Sequence, residues 1–246
     1  MDDTRTGIHI GTSGWSYDHW KGPFYPAQLP GNRMLDYYAQ RLHSVEINSS
    51  FYRLPQPQTL QHWYDSTPDD FHFTVKASRY ITHMKKLREP QKTLPDLLER
   101  VSSLGDKLGP ILFQLPPHWH FNGKRLGDFL ATLSNEFRYA FEFRDRSWIN
   151  EHTCELLSQH AAAFCIFELD GFLSPQPVTT DFIYVRLHGP GAAYQGSYSQ
   201  QTLAGWAETF SGWAHQGLST HCYFDNDQHG YAVQNALLLQ TMLSQE

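Results

Sequence analysis

The sequence predicts one domain with a (β/α)8 barrel of the TIM type. Strand-like and helix-like segments alternate along its 246 residues, and such alternation implies a parallel sheet joined by helical crossovers. Eight strand-like segments in about 250 residues match the size of this barrel. The competing arrangement is a doubly wound open sheet. Its strands are buried on both faces and form continuous apolar runs, whereas several strands here alternate apolar with polar residues.

Eight strands and seven helices are predicted from these patterns. The strands occupy residues 8–11, 44–48, 71–76, 111–115, 139–144, 163–168, 182–188 and 220–225. The helices have apolar residues at intervals of three or four, and they occupy residues 34–42, 58–65, 94–104, 124–136, 150–159, 199–215 and 231–243. Gly105 is expected to end the third helix. The proline-containing segment after the sixth strand is expected to be a loop.

Polar side chains occupy one face of these strands. In the fifth strand, for example, Phe141 and Phe143 alternate with Glu142 and Arg144. The apolar face suits the surrounding helices, so the polar face is expected to line the barrel axis and to converge on the carboxyl-terminal end, where barrel active sites lie. The side chains predicted to point there are Ser13, Glu46, Asn48, Lys76, Gln114, Glu142, Arg144, Glu168, Arg186, His188, Asp225 and Asn226. By the same alternation, Cys165 and Cys222 are expected to face the helices.

Composition and charge narrow the class of protein. The net charge of −6 and the pI of about 6.1 argue against a general nucleic-acid or membrane binder, because such proteins usually carry a basic excess. The three cysteines are far apart and form no CxxC pair, which is typical of a reduced cytosolic protein. Residues 1–6 lack the pattern of a signal peptide, and no apolar run approaches 18 residues. We therefore expect a single cytoplasmic domain over residues 1–246, without a membrane partner; its oligomeric state is left open.

Six ordered motifs identify a family resemblance. They are Gly11-Thr12-Ser13-Gly14-Trp15, Val45-Glu46-Ile47-Asn48-Ser49-Ser50-Phe51-Tyr52, Phe73-Thr74-Val75-Lys76-Ala77, Leu112-Phe113-Gln114-Leu115-Pro116-Pro117, Glu142-Phe143-Arg144 with Trp148, and Tyr184-Val185-Arg186-Leu187-His188-Gly189. Over about residues 7–243 the chain resembles the YecE-like family, domain of unknown function number 72. The resemblance implies a (β/α)8 barrel and supplies no established reaction. One departure is at the last strand, where Phe224-Asp225-Asn226-Asp227 stands in place of the family's Phe-Asn-Asn-Asp.

The charged side chains predicted to point into the barrel form a ring. This ring predicts an enzyme that needs no cofactor or metal and acts on a small anionic substrate, such as a phosphorylated one, by acid/base chemistry. Arg144 and Arg186 are expected to bind the anion, because a guanidinium grips carboxylate or phosphate bidentately. Lys76 and Glu142 are expected to transfer protons, with Lys76 as base or Schiff-base nucleophile. The remaining candidates are Glu46 and His188 as further catalytic or orienting groups, and Gln114, Asn48, Asn226, Trp15 and Ser13 as substrate-binding groups. The same charges also suit a buried ion network that fixes strand register.

Two other functions stay open at this point. A basic loop after the third strand suits a nucleic-acid ligand, and its members are Arg79, His83, Lys85, Lys86, Arg88 and Lys92. A divalent-metal hydrolase or isomerase would use an oxygen-rich site, formed by Glu46, Glu142, Glu168, His188 and Asp225. The aromatic loop over residues 12–30 suits either ligand stacking or a small core of its own. The segment His188-Gly189-Pro190-Gly191 suits either an anion site or an ordinary turn.

Overall fold

Eight parallel strands close into a barrel in the computed structural model, which describes residues 7–244. The strands are β1 (Ile8–Ser13), β2 (Ser44–Ile47), β3 (His72–Lys76), β4 (Leu108–Leu115), β5 (Tyr139–Phe143), β6 (Ala163–Leu169), β8 (Phe182–Leu187) and β9 (Ser219–Phe224), with a short β7 (Phe172–Leu173) between β6 and β8. Neighbouring strands follow chain order, and β9 pairs with β1 to close the circle. The predicted TIM-type fold is therefore confirmed.

Helices surround this barrel and connect its strands. They are α1 (Met34–Ala39), α2 (Pro57–Asp65), α3 (Pro90–Thr93), α4 (Pro95–Val101), α5 (Gly123–Leu130), α6 (Glu151–Gln159), α7 (Gln200–His215) and α8 (Tyr231–Leu243). The predicted helix over residues 94–104 is shorter, because Pro95 starts α4 and a 3₁₀ segment, Ser102–Lys107, follows it. The predicted helix over residues 124–136 stops at Leu130, where a threonine, a serine and an asparagine favour turns. Across residues 7–244, no helix is long and apolar enough to cross a membrane.

A hairpin follows β6 where a loop was predicted. Asp170 and Gly171 both have positive φ, at 50° and 71°, which is the geometry of a two-residue hairpin turn. The turn brings Phe172 back beside Leu169 in an antiparallel pair. The prediction was wrong because an Asp-Gly pair between apolar residues is itself a hairpin signal.

The barrel interior and the helix-facing core are two separate apolar clusters. The interior cluster consists of Leu112, Ala140, Ala163, Cys165, Phe182, Tyr184 and Tyr223. Two predictions are therefore corrected. Cys165 lies inside the barrel, since the strand register pairs it with Tyr184, whereas Cys222 does face the helices. Glu168 lies one residue beyond the interior-facing Phe167, on the outer side, and is hydrogen-bonded to Tyr198.

The aromatic loop after β1 packs a small core of its own. Trp20 and Tyr25 are fully buried, and Tyr25 donates a 2.5 Å hydrogen bond to the carbonyl of Trp15. Trp20 donates from Nε1 to the carbonyl of Asp227, 3.3 Å away in the loop after β9. The first contact closes the loop on itself and holds Trp15, which lines the pocket, and the second ties the loop to the one after β9.

Three histidines stack at the amino-terminal end of the barrel. The ring centroids of His9 and His72 are 4.2 Å apart, and those of His9 and His221 are 4.6 Å apart. His221 is 3% exposed, and neither of its ring nitrogens has a hydrogen-bond partner within the described residues, 7–244. Burial, with the neighbouring His72 and Arg138, lowers the pKa of His9 to about 4. Burial, then His9, His72 and Arg138, hold the pKa of His221 well below its usual range. Burial also lowers the pKa of His72, so all three rings are neutral at pH 7.

Acid is expected to weaken the fold through these histidines. Because their pKa values are lowered on folding, the unfolded chain binds more protons below pH 6.5, so stability falls as pH falls. His9 alone, with its pKa at about 4, removes about 2 kcal/mol of unfolding free energy between pH 7.5 and 5, at about 1.4 kcal/mol per unit. Urea unfolding at both pH values measures the loss. His221→Phe should reduce it, whereas His215→Gln, at an exposed position, should not; equal losses in all three proteins would contradict the assignment.

Candidate functional site

A buried arginine is the centre of the polar ring at the carboxyl-terminal half of the barrel. Arg186, on β8, is 0% exposed. Its Nη1 donates to Glu142 Oε2 at 2.7 Å, and its Nη2 donates to Glu46 Oε1 at 2.8 Å and to Asp225 Oδ2 at 3.0 Å. Ser13 Oγ accepts a further bond from Nη2 at 3.1 Å. The side chain therefore joins three carboxylates from β2, β5 and the end of β9.

A second arginine and a histidine extend this network toward the mouth. Arg144 Nε is ion-paired with Glu142 Oε1, and Arg144 Nη2 lies 3.0 Å from His188 Nε2. Arg186 Nη1 lies 3.4 Å from the same nitrogen. Because both guanidinium groups can only donate, His188 Nε2 must accept, and the ring proton belongs on Nδ1. That nitrogen lies 3.0 Å from Asp225 Oδ2, which matches the assignment.

Two carboxylates of the network, Glu142 and Asp225, are held in their charged form. Burial alone would raise the pKa of Glu142, but Arg144 and Arg186 hold it well below its usual range. Burial also opposes the charge on Asp225, whose pKa is nevertheless lowered by Arg186 and His188. Glu46 accepts from Ser13 Oγ at 2.5 Å and from Tyr184 Oη at 2.7 Å, besides its bond to Arg186. These carboxylates are firmly bound acceptors.

Lys76 differs from every other charge in the ring. It stands at the end of β3, is 8% exposed, and its Nζ lies 4.6 Å from the centroid of the Phe51 ring. Among residues 7–244, no hydrogen bond or ion pair engages Nζ. Burial, followed by the charge of Arg186, lowers its pKa to about 8, although Glu46 and Asp225 act in the opposite direction. A substantial fraction of this amine is therefore neutral at slightly alkaline pH.

A cavity of about 830 Å³ opens above Lys76. Its walls combine aromatic rings with a few polar groups, as small-molecule sites do. The aromatic members are Trp15, Tyr17, Phe51, Tyr52, Trp63 and Tyr194, and the polar members at the floor and rim include Asn32, Asn48, Lys76, His83, Gln114 and Asp225. Tyr52 is 77% exposed and stands at the rim. The predicted residues Lys76, Gln114, Asn48 and Trp15 thus meet in one pocket, and Asp225 joins them.

A π-helical turn places His83 in the pocket wall, although the sequence grouped this residue with the basic loop after the third strand. Residues Tyr80–Met84 form this turn directly after β3, and single π turns are frequent at functional sites. It sets the ring of His83 5.0 Å from that of Phe51. Burial, then Lys76, Arg79 and Arg144, lowers the pKa of His83 to about 4. The side chain is a neutral imidazole in a positively charged part of the wall.

Other predicted site residues lie outside the pocket. Ser13, Glu46, Glu142, Arg186 and His188 lie in the buried network below its floor, and Arg144 joins them from the end of β5. Asn226 donates instead to the carbonyl of Gly196 at 2.8 Å and to Asn235 Oδ1 at 3.0 Å, and so ties a loop to α8.

In the two loops considered as sites for anionic ligands, several donor groups already bind other parts of the protein. The backbone N–H of Gly189 donates to Tyr198 Oη at 3.0 Å. In the basic loop, Lys85 and Lys92 both pair with Glu89, at 2.5 and 2.6 Å. Within the described range 7–244, no group of three or more His, Cys, Asp or Glu side chains is arranged to hold a metal ion.

Comparisons with known proteins agree with this architecture. The family model described as "Protein of unknown function DUF72" matches residues 9–246. UPF0759 protein YecE of Escherichia coli K12 is 34% identical over 141 residues, which is 56% of this chain and 48% of that protein, so the match spans about half of the relative's length. UPF0759 protein YunF of Bacillus subtilis is 25% identical over 97% of this chain and 95% of its own. The crystal structure of a DUF72 family protein from Thermotoga maritima superposes with a TM-score of 0.86 and 30% identity, covering 97% of this chain and 99% of that one.

Proposed function

The chain belongs to the DUF72 family, and we propose that it is an enzyme that binds a small anionic substrate at the mouth of the barrel and transfers a proton to or from it. The observation that carries this proposal is the unpaired amine of Lys76 at the floor of the pocket. A buried ammonium that contacts an aromatic ring but has no hydrogen bond or ion pair among residues 7–244 is unfavourable for stability, so its presence needs a reason other than folding. Binding or chemistry at this amine supplies one.

Lys76 is the proposed proton-transfer group. A base works best when its pKa lies near the working pH, and a pKa of about 8 meets this condition. Asp225, which lines the same pocket, is the neighbouring carboxylate able to relay a proton. Glu142 is poorly suited to this role because it is fully buried below the floor and does not line the pocket. We therefore assign Glu142 and Arg186 the role of positioning Asp225 and the pocket floor.

The anionic group of the substrate is proposed to lie on the side of the pocket near His83. The charges of Lys76, Arg79 and Arg144 all act on this ring, so the wall there attracts a carboxylate or phosphate. The amides of Asn48 and Gln114 line the same pocket and can donate hydrogen bonds to it. In this assignment Arg144 contributes its charge, whereas the donors of Arg186 are already used by Glu46, Glu142 and Asp225.

Titration of Lys76 by NMR tests the proposal. With ¹³C-labelled lysine, we expect one Cε signal to titrate with a midpoint at pH 8, as the lowered pKa requires, and to be missing in Lys76→Met. Saturating sulfate should move that midpoint upward by about one unit or more, because an anion that binds the ammonium tenfold more tightly than the amine raises its pKa by one unit. Lys124→Met, at an exposed lysine, is the control. A midpoint near 10.5 that sulfate leaves unchanged would contradict the proposed site.

A further inference from the structure

We propose that Lys76 forms an imine with an aldehyde or ketone that carries an anionic group, so that the pocket is a carbonyl-binding site. This inference rests on the proposed function and names its substrate class. Nζ stands at the carboxyl-terminal end of a barrel strand, faces an 830 Å³ cavity, and has an aromatic ring but, among residues 7–244, no hydrogen-bond acceptor beside it. An amine that faces a cavity and is not tied to a protein acceptor is positioned to attack a carbonyl compound bound there.

A comparison with the other buried lysine supports this assignment. Lys107 is 3% exposed, and its Nζ donates to the carbonyls of Tyr64 and Thr67 at 2.6 and 2.7 Å and to Thr67 Oγ1 at 3.3 Å. That ammonium is fully occupied and structural. Lys76 is also buried, at 8% exposed, yet its amine lines a cavity and has no such acceptors among residues 7–244. This difference in partners separates a reactive lysine from a structural one.

The pocket also supplies a carboxylate for the proton transfers. The neutral amine of Lys76 forms the C–N bond by attacking the carbonyl carbon. Asp225, held as a carboxylate by Arg186, carries one proton from the nitrogen to the former carbonyl oxygen, which gives a neutral carbinolamine. It then carries the second nitrogen proton to the hydroxyl group, which departs as water when the C=N bond forms. The balance is one amine and one carbonyl compound giving one imine and one water, and no oxidant or reductant takes part.

Borohydride trapping tests the imine. The protein is incubated with glyoxylate or pyridoxal 5′-phosphate, reduced with sodium borohydride, and analysed by intact mass and peptide mapping. We expect one adduct per chain, on Lys76, formed at least ten times faster than on any other lysine. Its rate should rise about tenfold per pH unit up to about 8 and then level off, as the neutral fraction does. Lys76→Met and Lys76→Arg should lose the adduct, and Lys124→Met should retain it. Equal labelling of many surface lysines would overturn the inference.

The outcomes separate this inference from the function on which it rests. If sulfate raises the titration midpoint of Lys76 but neither carbonyl compound is trapped there, the imine is wrong and the anion pocket stands. If propionaldehyde, which has no charge, is trapped as fast as glyoxylate, the amine is reactive but the proposed preference for an anion is wrong. Lys76→Arg keeps a cation in the pocket, so it should bind sulfate without forming an adduct; loss of sulfate binding in this variant would also count against the anion pocket.

Discussion

Arg186→Met is expected to destabilise the protein by about 3–5 kcal/mol, because removing one partner of a buried ion pair leaves uncompensated charges behind. Here the change would leave Glu46 and Asp225 without their guanidinium partner and Glu142 with Arg144 alone. The midpoint of urea unfolding, followed by tryptophan fluorescence, measures the effect.

Two further variants make this result interpretable. Arg186→Lys keeps the charge but loses the planar fork, so we expect a destabilisation between that of the methionine variant and zero. Arg100→Met breaks a surface pair with Asp96, 2.8 Å long, and should cost less than about 1 kcal/mol. If Arg186→Met unfolds at the same urea concentration as the unaltered protein, the network is not structural, and Arg186 returns as a candidate for binding the substrate.

Lys76→Met is expected to have the opposite effect on stability. A pKa lowered from 10.5 to about 8 means that the folded state disfavours the ammonium by about 3 kcal/mol at pH 7, at about 1.4 kcal/mol per unit. Methionine removes this cost and keeps the apolar contact with Phe51. Between pH 8 and 10.5 the unaltered protein becomes more stable, because its folded state has already lost the unfavourable proton. The stability advantage of the variant over the unaltered protein should therefore shrink over this range. The variant should nevertheless lose all trapping by carbonyl compounds.

Lys107→Met is the matched control for this prediction. It removes a buried lysine, 3% exposed, and its three acceptors on Tyr64 and Thr67 would then lose this donor. We expect a destabilisation of about 1–3 kcal/mol. Opposite signs for the two methionine variants, measured by urea unfolding at pH 7, identify Lys76 as a residue retained at the expense of stability. A destabilisation by Lys76→Met comparable to that by Lys107→Met would contradict this interpretation.

Alternation along the strands was sufficient to predict the barrel and most of its interior. It failed at β6, where Ala163, Phe164, Cys165 and Ile166 are apolar on both faces, so the pattern does not show which face is inside. The orientation of this strand is fixed by its register with β8, which the sequence does not encode locally. The errors at Cys165 and Glu168 share this cause.

The inward direction of the charged side chains was predictable, but their pairing was not. Glu46, Glu142, Arg144, Arg186 and Lys76 do point inward, as their alternation predicted. Which cation meets which carboxylate depends on the relative heights of the strands around the barrel, and this left Lys76 alone while Arg186 met three acids. His83 was grouped with a basic surface loop, because no residue pattern marks the π turn that carries it into the pocket wall.

The charge network has a further consequence for any intermediate formed in the pocket. It combines the cations Arg144, Arg186 and protonated Lys76 with the carboxylates Glu46, Glu142 and Asp225. Without a ligand, these six charges cancel when the nitrogen at position 76 is positive. The anionic group of a bound substrate adds negative charge, so a protonated iminium leaves less uncompensated charge than a neutral imine. The barrel would thus favour the electron-withdrawing form of a bound carbonyl compound, which is the form that weakens bonds next to the original carbonyl carbon.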